Sequence, residues 1–496
     1  MFEAFVEAAT HIASVDAIVA IIVGTCIGLV FGALPGLGGC VALAIMIPVS
    51  YGMESMSAML LFAAIMGAVP FGGSISSILI NTPGTPQNAA TCFDGFPMTQ
   101  RGEGNKALAI SATASGLGAI FGLLVLFSVM PIMRRVVLFF GAAEIFMLIL
   151  FGLVTVAVAS RGNLIKGLVA GGAGILLSLI GYSGLFGVLR FTYGSEYLWD
   201  GFMIVPLFIG VFAISELLVL TTKGGTVARE EIAARGSVVE GIKTVFRYPV
   251  TFFRSSALGT LIGIIPGTGG SVANFLSYTA TIQTSKHPQT FGTGDPEGVV
   301  AAEAANNAKD GGALIPAVSL GIPGNPETAV LLGAFILHGL TPGPMLIREH
   351  LDIVWALFFG LLIANILASG IGLMLANKLL KLCYINVYYI IPIVAVLCFI
   401  GAYAVRGSIW DVALAAIFGL FGYGMKRTGY PIVCLVIGFV LGKMAETSFY
   451  HAVLTAYGSY TVFLVKPISA TLLILLIMVI LLPFVMGRLT TRRGKR

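Results

Sequence analysis

Long apolar runs separated by short polar stretches set the rhythm of this chain. They occupy about 13–34, 55–70, 107–130, 136–159, 164–181, 201–220, 249–265, 352–376, 388–405, 409–424, 431–449 and 466–487. With roughly 20 apolar residues needed to cross a bilayer, they predict an all-α polytopic membrane protein of about 10–13 membrane segments. One polar stretch, Thr221 to Pro249, divides the chain. It carries Lys223, Arg229, Arg235, Lys243 and Arg247 against three glutamates.

The nearly equal lengths on either side of that stretch invite a search for a repeat. GALPGLGGCVA (32–42) matches GIIPGTGGSVA (263–273), with Pro35 over Pro266 at an offset of 231. NTPGTPQNAA (81–90) matches GIPGNPETAV (321–330), with Pro83 over Pro323 at an offset of 240. The organisation read from this is a first half over 1–220 with Pro-Gly breaks at 35–39 and 82–86, and a linker over 221–248. A second repeat follows over 249–376 with breaks at 266–270 and 322–326. The remaining helices of the second half fill 377–487, and a basic tail occupies 488–496.

Composition agrees. Of 496 residues 57% are hydrophobic and 10% charged, and the mean hydropathy is +0.99. A soluble chain carries roughly a quarter charged residues, so a soluble enzyme, a nucleic-acid binder and a disordered scaffold are excluded. The net charge of +6 matters by location. Lys378/Lys381, Lys426/Arg427 and the tail Arg488, Arg492, Arg493, Lys495 and Arg496 are separated by two crossings each, which places all three on the cytoplasmic side. The linker is read as cytoplasmic for the same reason. The N-terminus lacks the basic region of a cleaved signal, so no processing is expected. Cys26, Cys40, Cys92, Cys383, Cys398 and Cys434 stand singly, which supports neither a disulfide frame nor a metal site.

Irregular backbone at membrane depth is tolerated where it lines a cavity or is buried in protein, and matched Gly/Pro-interrupted segments in two halves point to a transporter's central site. A helix that starts just past such a break presents free N–H groups and roughly half a positive charge. Four such ends give an upper limit of about two positive charges without any Lys or Arg, which suits an anion with two or three carboxylates. The candidate substrate-binding residues are Pro35, Gly36 and Gly38; Asn81, Thr82, Pro83, Gly84, Thr85 and Pro86; Pro266, Gly267, Thr268, Gly269, Gly270 and Ser271; and Pro323, Gly324, Asn325 and Pro326. Ser76, Ser77, Gln87, Asn88, Asn274 and Thr328 add polarity nearby. Ser74, Asn81, Ser319 and Asn325 are candidates for a coupling ion, Na+ or H+, held by unwound backbone and side-chain oxygens. An anion entering a negative interior costs about 2.3 kcal/mol per charge per 100 mV, so uptake calls for cation symport. No other cofactor is expected.

Plainer readings stand beside these. A Gly-rich break also permits close helix packing, and Ser and Thr also satisfy carbonyls freed by proline. Most of Glu144, Glu216, Asp411 and Glu446 lie near predicted span ends, and each reads as an interfacial or structural acid. His338 reads as a packed helix residue. The stretch Gln283 to Gly312 reads either as a solvated loop or as one containing a short helix, whose Glu303, Asn306 and Asn307 share a face that seals or orients the second hairpin.

GALPGLGG, ILINTPGTPQNAATCFDGFPM, GIIPGTGGSVANFLSY, GVVAAEAANNAKDGGALIP and LGIPGNPETAVLLGAFILHGLTPGPM together resemble the large membrane subunit of tripartite tricarboxylate transporters, over most of the chain. The resemblance implies a bacterial inner-membrane secondary transporter that works with a small membrane subunit and a periplasmic solute-binding protein. It also implies an elevator-type architecture, with two re-entrant hairpins and two broken helices in inverted repeats. Carried over, the tips are Pro35 to Gly39, Asn81 to Pro86, Pro266 to Ser271 and Pro323 to Pro326. Glu327 departs from the small or neutral residue expected after PGNP: either it faces away from the anion site, or the substrate differs from citrate. The competing readings are a non-coupled organic-anion channel and, more remotely, a serine hydrolase using Ser74 with His338. No GxSxG, HExxH or P-loop motif supports an enzyme.

Overall fold

A computed structural model describes residues 2–159, 164–223 and 236–493, so part of the linker and the end of the basic tail lie outside it. The chain is almost entirely helical. The first half contains α1 (Phe2–His11), α2 (Val15–Ala33), α3 (Gly38–Ser50), α4 (Ser55–Ile80), α5 (Cys92–Gln100), α6 (Gly104–Val137), α7 (Ala142–Ala159) and α8 (Leu164–Ser178). A small hairpin of β1 (Gly181–Ser183) and β2 (Val188–Arg190) precedes α9 (Ile204–Phe208) and α10 (Ser215–Lys223), which are joined by a π-helical segment. Beyond the linker come α11 (Val238–Val245), α12 (Pro249–Ile264), α13 (Gly269–Thr284), α14 (Pro296–Leu320), α15 (Pro326–Leu337), α16 (Pro344–Glu349) and α17 (Leu351–Cys383). The chain closes with α18 (Val387–Ala404), α19 (Ile409–Thr428), α20 (Ile432–Thr455), α21 (Val462–Val465) and α22 (Pro467–Arg493).

Among the described residues eight helices are long and apolar enough to span a bilayer, and shorter apolar helices such as Gly38–Ser50 and Pro326–Leu337 lie beside them. The all-α polytopic membrane class is therefore correct. Some apolar runs prove to be the first part of longer helices: 55–70 extends to Ile80 and 352–376 to Cys383.

Two helices form the centre. The spanning window of α4 is entirely buried, and α14 is buried from Gly298 to Ser319. Helix α4 packs between α2 and α17, while α14 packs between α12 and α6. Small residues permit the close approach. A methyl group added at Gly28 would meet the Ile65 carbonyl oxygen at 2.6 Å, and one at Gly259 would meet the Ala305 oxygen at 2.5 Å. Gly32 abuts the Val69 carbonyl just as Gly263 abuts that of Lys309. These contacts join residues related by the same offsets of 231 and 240 that align the two sequence motifs.

The stretch 283–312 divides between the two readings given to it. Residues 285–295 form a connection held by Asp94, whose Oδ1 accepts the N–H groups of Gly292, Gly294 and Asp295 at 2.8–2.9 Å while Oδ2 accepts the Tyr278 hydroxyl at 2.7 Å. From Pro296 the chain is a 25-residue helix, not a short one. Its alternation of alanine with polar residues looks solvated in sequence, but its neighbours cover every side.

The four span-end acids each meet a base. Glu144 lies 3.4 Å from Lys466, Asp411 lies 2.8 Å from Arg406, Glu446 lies 2.5 Å from Arg190, and Glu216 pairs with Lys426. Among the described residues the cysteines are free, and no group of three His, Cys, Asp or Glu is placed to hold a metal.

Candidate functional site

The two broken helices have the same backbone. Proline cannot donate an N–H and holds the residue before it extended; Leu34 (ψ 106) and Ile265 (ψ 114) end α2 and α12 in that state. Gly36 and Gly267 follow at φ +92 and +77, and Gly38 and Gly269 at φ +63 and +71. These left-handed values suit glycine. They turn the chain so that α3 and α13 start afresh.

The hairpin tips also correspond. Helix α4 ends on Asn81 (φ 54) and α14 on Gly321 (φ 70), both left-handed. Thr85 and Asn325 are extended before Pro86 and Pro326, each the first residue of the next helical segment. Gly84 and Gly324 press on the carbonyls of Gly32 and Gly263 respectively, so each tip is wedged against the broken helix beside it. The Gly267 N–H donates to the Gly324 carbonyl at 3.1 Å.

All four breaks meet at a cavity of about 450 Å³ lined by Gly36, Gly38, Gly39, Cys40, Pro83 to Gln87, Gly269 to Ser271, Pro326, Glu327 and Glu216. A smaller one of about 240 Å³ lies alongside, lined by Gly267, Thr268, Gly269, Pro323, Asn325 and Pro326 among others. Pro35, Asn81, Thr82, Pro266 and Gly324 line neither cavity. A third cavity, about 680 Å³ and lined by Tyr51, Phe202, Leu340, Met444 and their neighbours, contains none of the four paired breaks.

The electrostatics differ from the four-terminus estimate. Of the four segments that restart at the breaks, only α3 and α13 are α-helices whose N-termini no side chain caps, and their first residues face the 450 Å³ cavity. After Pro86 the chain forms a four-residue 3₁₀ turn, and α15 is capped by a reciprocal Asn325–Thr328 pair. The fixed positive charge of the helix ends is thus about one, not two. Glu327 does not face away: its Cγ would lie 3.0 Å from a methyl group on Gly39.

The candidate ion ligands are spread over different surroundings. The Ser74 hydroxyl donates to Glu303 at 2.8 Å and accepts the Asn88 side-chain amide at 2.8 Å. The Ser319 hydroxyl bonds back to the Ile315 carbonyl at 2.5 Å. Asn81 is exposed, and Asn325 caps α15. His338 Nε2 lies 3.0 Å from the Ser50 hydroxyl, so the hydrolase pairing of Ser74 with His338 is not formed.

The sequence points to neither Lys309 nor Asp310, which sit beneath the tips with Nζ and Oδ1 2.5 Å apart and are 2% and 3% exposed. The Asp310 carboxylate also receives the Asn325 side-chain amide at 3.5 Å. The signal available was the helical face of Glu303, Asn306 and Asn307, which continues one turn further to Asp310. Glu303 itself accepts hydroxyls from Ser74, Thr91 (2.5 Å) and Ser115 (2.7 Å) and is fully buried.

An all-α membrane protein whose paired helix breaks meet at one cavity has the build of a membrane transporter. The family profile described as the tripartite tricarboxylate transporter TctA family matches residues 18–437. The chain belongs to that family, which is one of transporter subunits and not of enzymes. It is 33% identical over 461 residues to an "uncharacterized 52.8 kDa protein in TAR-I ttuC′ 3′ region" of Agrobacterium vitis, covering 91% of this chain and 90% of that one. A second Agrobacterium vitis protein, from the TAR-II ttuC′ 3′ region, is 37% identical over 215 residues, 43% of this chain and 89% of its own. No solved structure matches the chain.

Proposed function

We propose that this chain is the substrate-carrying membrane subunit of a secondary transporter that imports a citrate-like di- or tricarboxylate by symport with Na+ or H+. In this reading a periplasmic solute-binding protein delivers the substrate and a small membrane subunit completes the complex. The chain sits in the bacterial inner membrane with its C-terminus in the cytoplasm. Substrate occupies the 450 Å³ cavity, and an elevator-like movement of the two hairpins and two broken helices carries it across.

The observation that carries the reading is the convergence of all four Pro-Gly breaks on that one cavity. The starts of α3 and α13 offer backbone N–H groups to carboxylate oxygens, and Gly38, Gly39, Gly269 and Gly270 leave room for close approach. A non-coupled pore has no need of two matched pairs of breaks. Membrane energetics favour coupling, since each substrate charge is driven outward by about 2.3 kcal/mol per 100 mV.

The test is uptake by proteoliposomes holding this chain with its small membrane partner and the binding protein outside. Citrate is tried first, then other di- and tricarboxylates, under imposed sodium or proton gradients. Accumulation that requires both a gradient and the binding protein is the expected result. Flux that ignores every gradient contradicts symport and favours the anion channel.

A further inference from the structure

The charged face of α14 is not demanded by the fold. At the offset that aligns the two hairpins, α4 carries Ala63, Met66, Gly67, Val69 and Pro70 where α14 carries Glu303, Asn306, Asn307, Lys309 and Asp310. Both helices make the same glycine-to-carbonyl contacts, so the apolar version packs equally well. Ionisable groups at membrane depth are expensive and mark function, and a buried ion pair is weak as a source of stability.

The pair stands between the break cavity and a set of buried polar atoms without partners. The side-chain end of Lys309 lies against Gly270 beside the Gln87 amide oxygen, and Gly270 and Gln87 both line the larger cavity. One glycine therefore separates this ammonium stem from the proposed substrate space. On the other side, Asp310 Oδ2 is buried without a hydrogen-bond partner. Asn306, one turn earlier on the same face, has both side-chain amide atoms unpartnered, and Asn307 Oδ1 is unpartnered too. Buried polar atoms without partners call for an explanation, a missing ion among them.

We infer that Lys309 and Asp310 form a charge-exchange element that couples the two transported species. A monovalent cation, sodium or proton, takes over the Asp310 carboxylate; for sodium, the Asn306 and Asn307 amide oxygens supply further ligands. Lys309 is thereby released to meet a substrate carboxylate at the Gly270 wall. The charges balance: the cation neutralises Asp310, and one substrate carboxylate neutralises Lys309. Either ligand alone leaves one buried charge unpaired, and both together leave none, so each strengthens the binding of the other. Lys309 supplies the positive charge that the capped α15 and the 3₁₀ turn at Pro86 do not. Of the other acids nearby, Glu327 faces the cavity and Glu303 is held by three hydroxyls.

This inference rests on the proposed coupled carboxylate uptake, and its test separates the two. Binding of the carboxylate carried best, citrate taken first, is measured on the full chain in nanodiscs. Sodium is varied at fixed pH, and pH at fixed sodium, which distinguishes the two cations. In the native chain substrate affinity rises with the coupling cation by about tenfold, within the usual range of coupling between sites. Asp310→Asn binds substrate with no such rise. Lys309→Met binds it at least about tenfold more weakly at every cation concentration, the loss expected of a removed charge-assisted contact. The double change Lys309→Met/Asp310→Leu, which copies the apolar pattern of α4, folds and has lost the cation response. A native-like rise in Asp310→Asn or in the double variant overturns the exchange and leaves coupled uptake standing. A native chain that responds to neither cation overturns both.

Discussion

Replacing Gly84 or Gly324 by alanine is expected to cut transport about a hundredfold while the chain still inserts in the membrane. Neither glycine has a left-handed backbone, so the effect comes from the added methyl alone. At Gly324 it would sit 2.7 Å from both the Ala313 Cα and the Gly263 carbonyl oxygen. At Gly84 it would lie 2.5 Å from the Gly73 Cα and closer still to the Gly32 carbonyl. Backbone atoms of buried helices cannot step aside as a side chain can. Overpacking of this kind costs about 1–3 kcal/mol in ordinary cores, and here the strain lands on the tip that shapes the cavity. A shift of about 1 Å in a positioned site costs on the order of a hundredfold in rate, so uptake per reconstituted molecule should fall by about that factor. Gly172→Ala is the control, because its methyl meets nothing within 4 Å. Native uptake in Gly84→Ala would show that the wedge does not shape the site.

The second large effect concerns stability. Lys309→Met removes the partner of a carboxylate that is 3% exposed and leaves its charge buried. Breaking a buried pair in this way costs about 3–5 kcal/mol, so the purified variant should unfold at a clearly lower temperature than the native chain. Lys309→Met/Asp310→Leu should regain most of that loss, since a neutral replacement of a buried pair is often neutral or stabilising. Equal melting of the single and double variants would contradict the view that the fold tolerates the apolar pattern of α4 at this place. The comparison reads folding alone and needs no substrate.

The sequence makes some of this plain and hides the rest for physical reasons. Pro35 and Pro266 are legible as breaks because proline removes a donor and fixes its predecessor, whatever surrounds it. The glycines after them are legible because their left-handed backbone is a local requirement. The apolar spans follow from length and composition. By contrast, the 25 residues of α14 contain two glutamates, two asparagines, a lysine and an aspartate, a composition that suits a surface. Only tertiary contact, with α12, α6 and α13 supplying glycines and hydroxyls, makes it a core helix. The electrostatics of the tips were likewise hidden. Whether a helix start is free or capped depends on Asn325 meeting Thr328, and whether an α-helix starts at all after Pro86 depends on how Asn88 is held, here by Thr85, Ser74 and the Pro70 carbonyl. Glu327 shows the same limit: its sequence position does not say which way it points, and the structure turns it to the cavity.

Under the proposed function, the carboxylate binds where the four Pro-Gly breaks meet. The most direct measurement is a cryo-electron microscopy structure of the complex with its transported carboxylate. Density for the substrate is expected in the 450 Å³ cavity, its carboxylates toward the starts of α3 and α13 and the Gly270 wall. Substrate density in the 680 Å³ cavity between Tyr51 and Met444, with the break cavity empty, would contradict it.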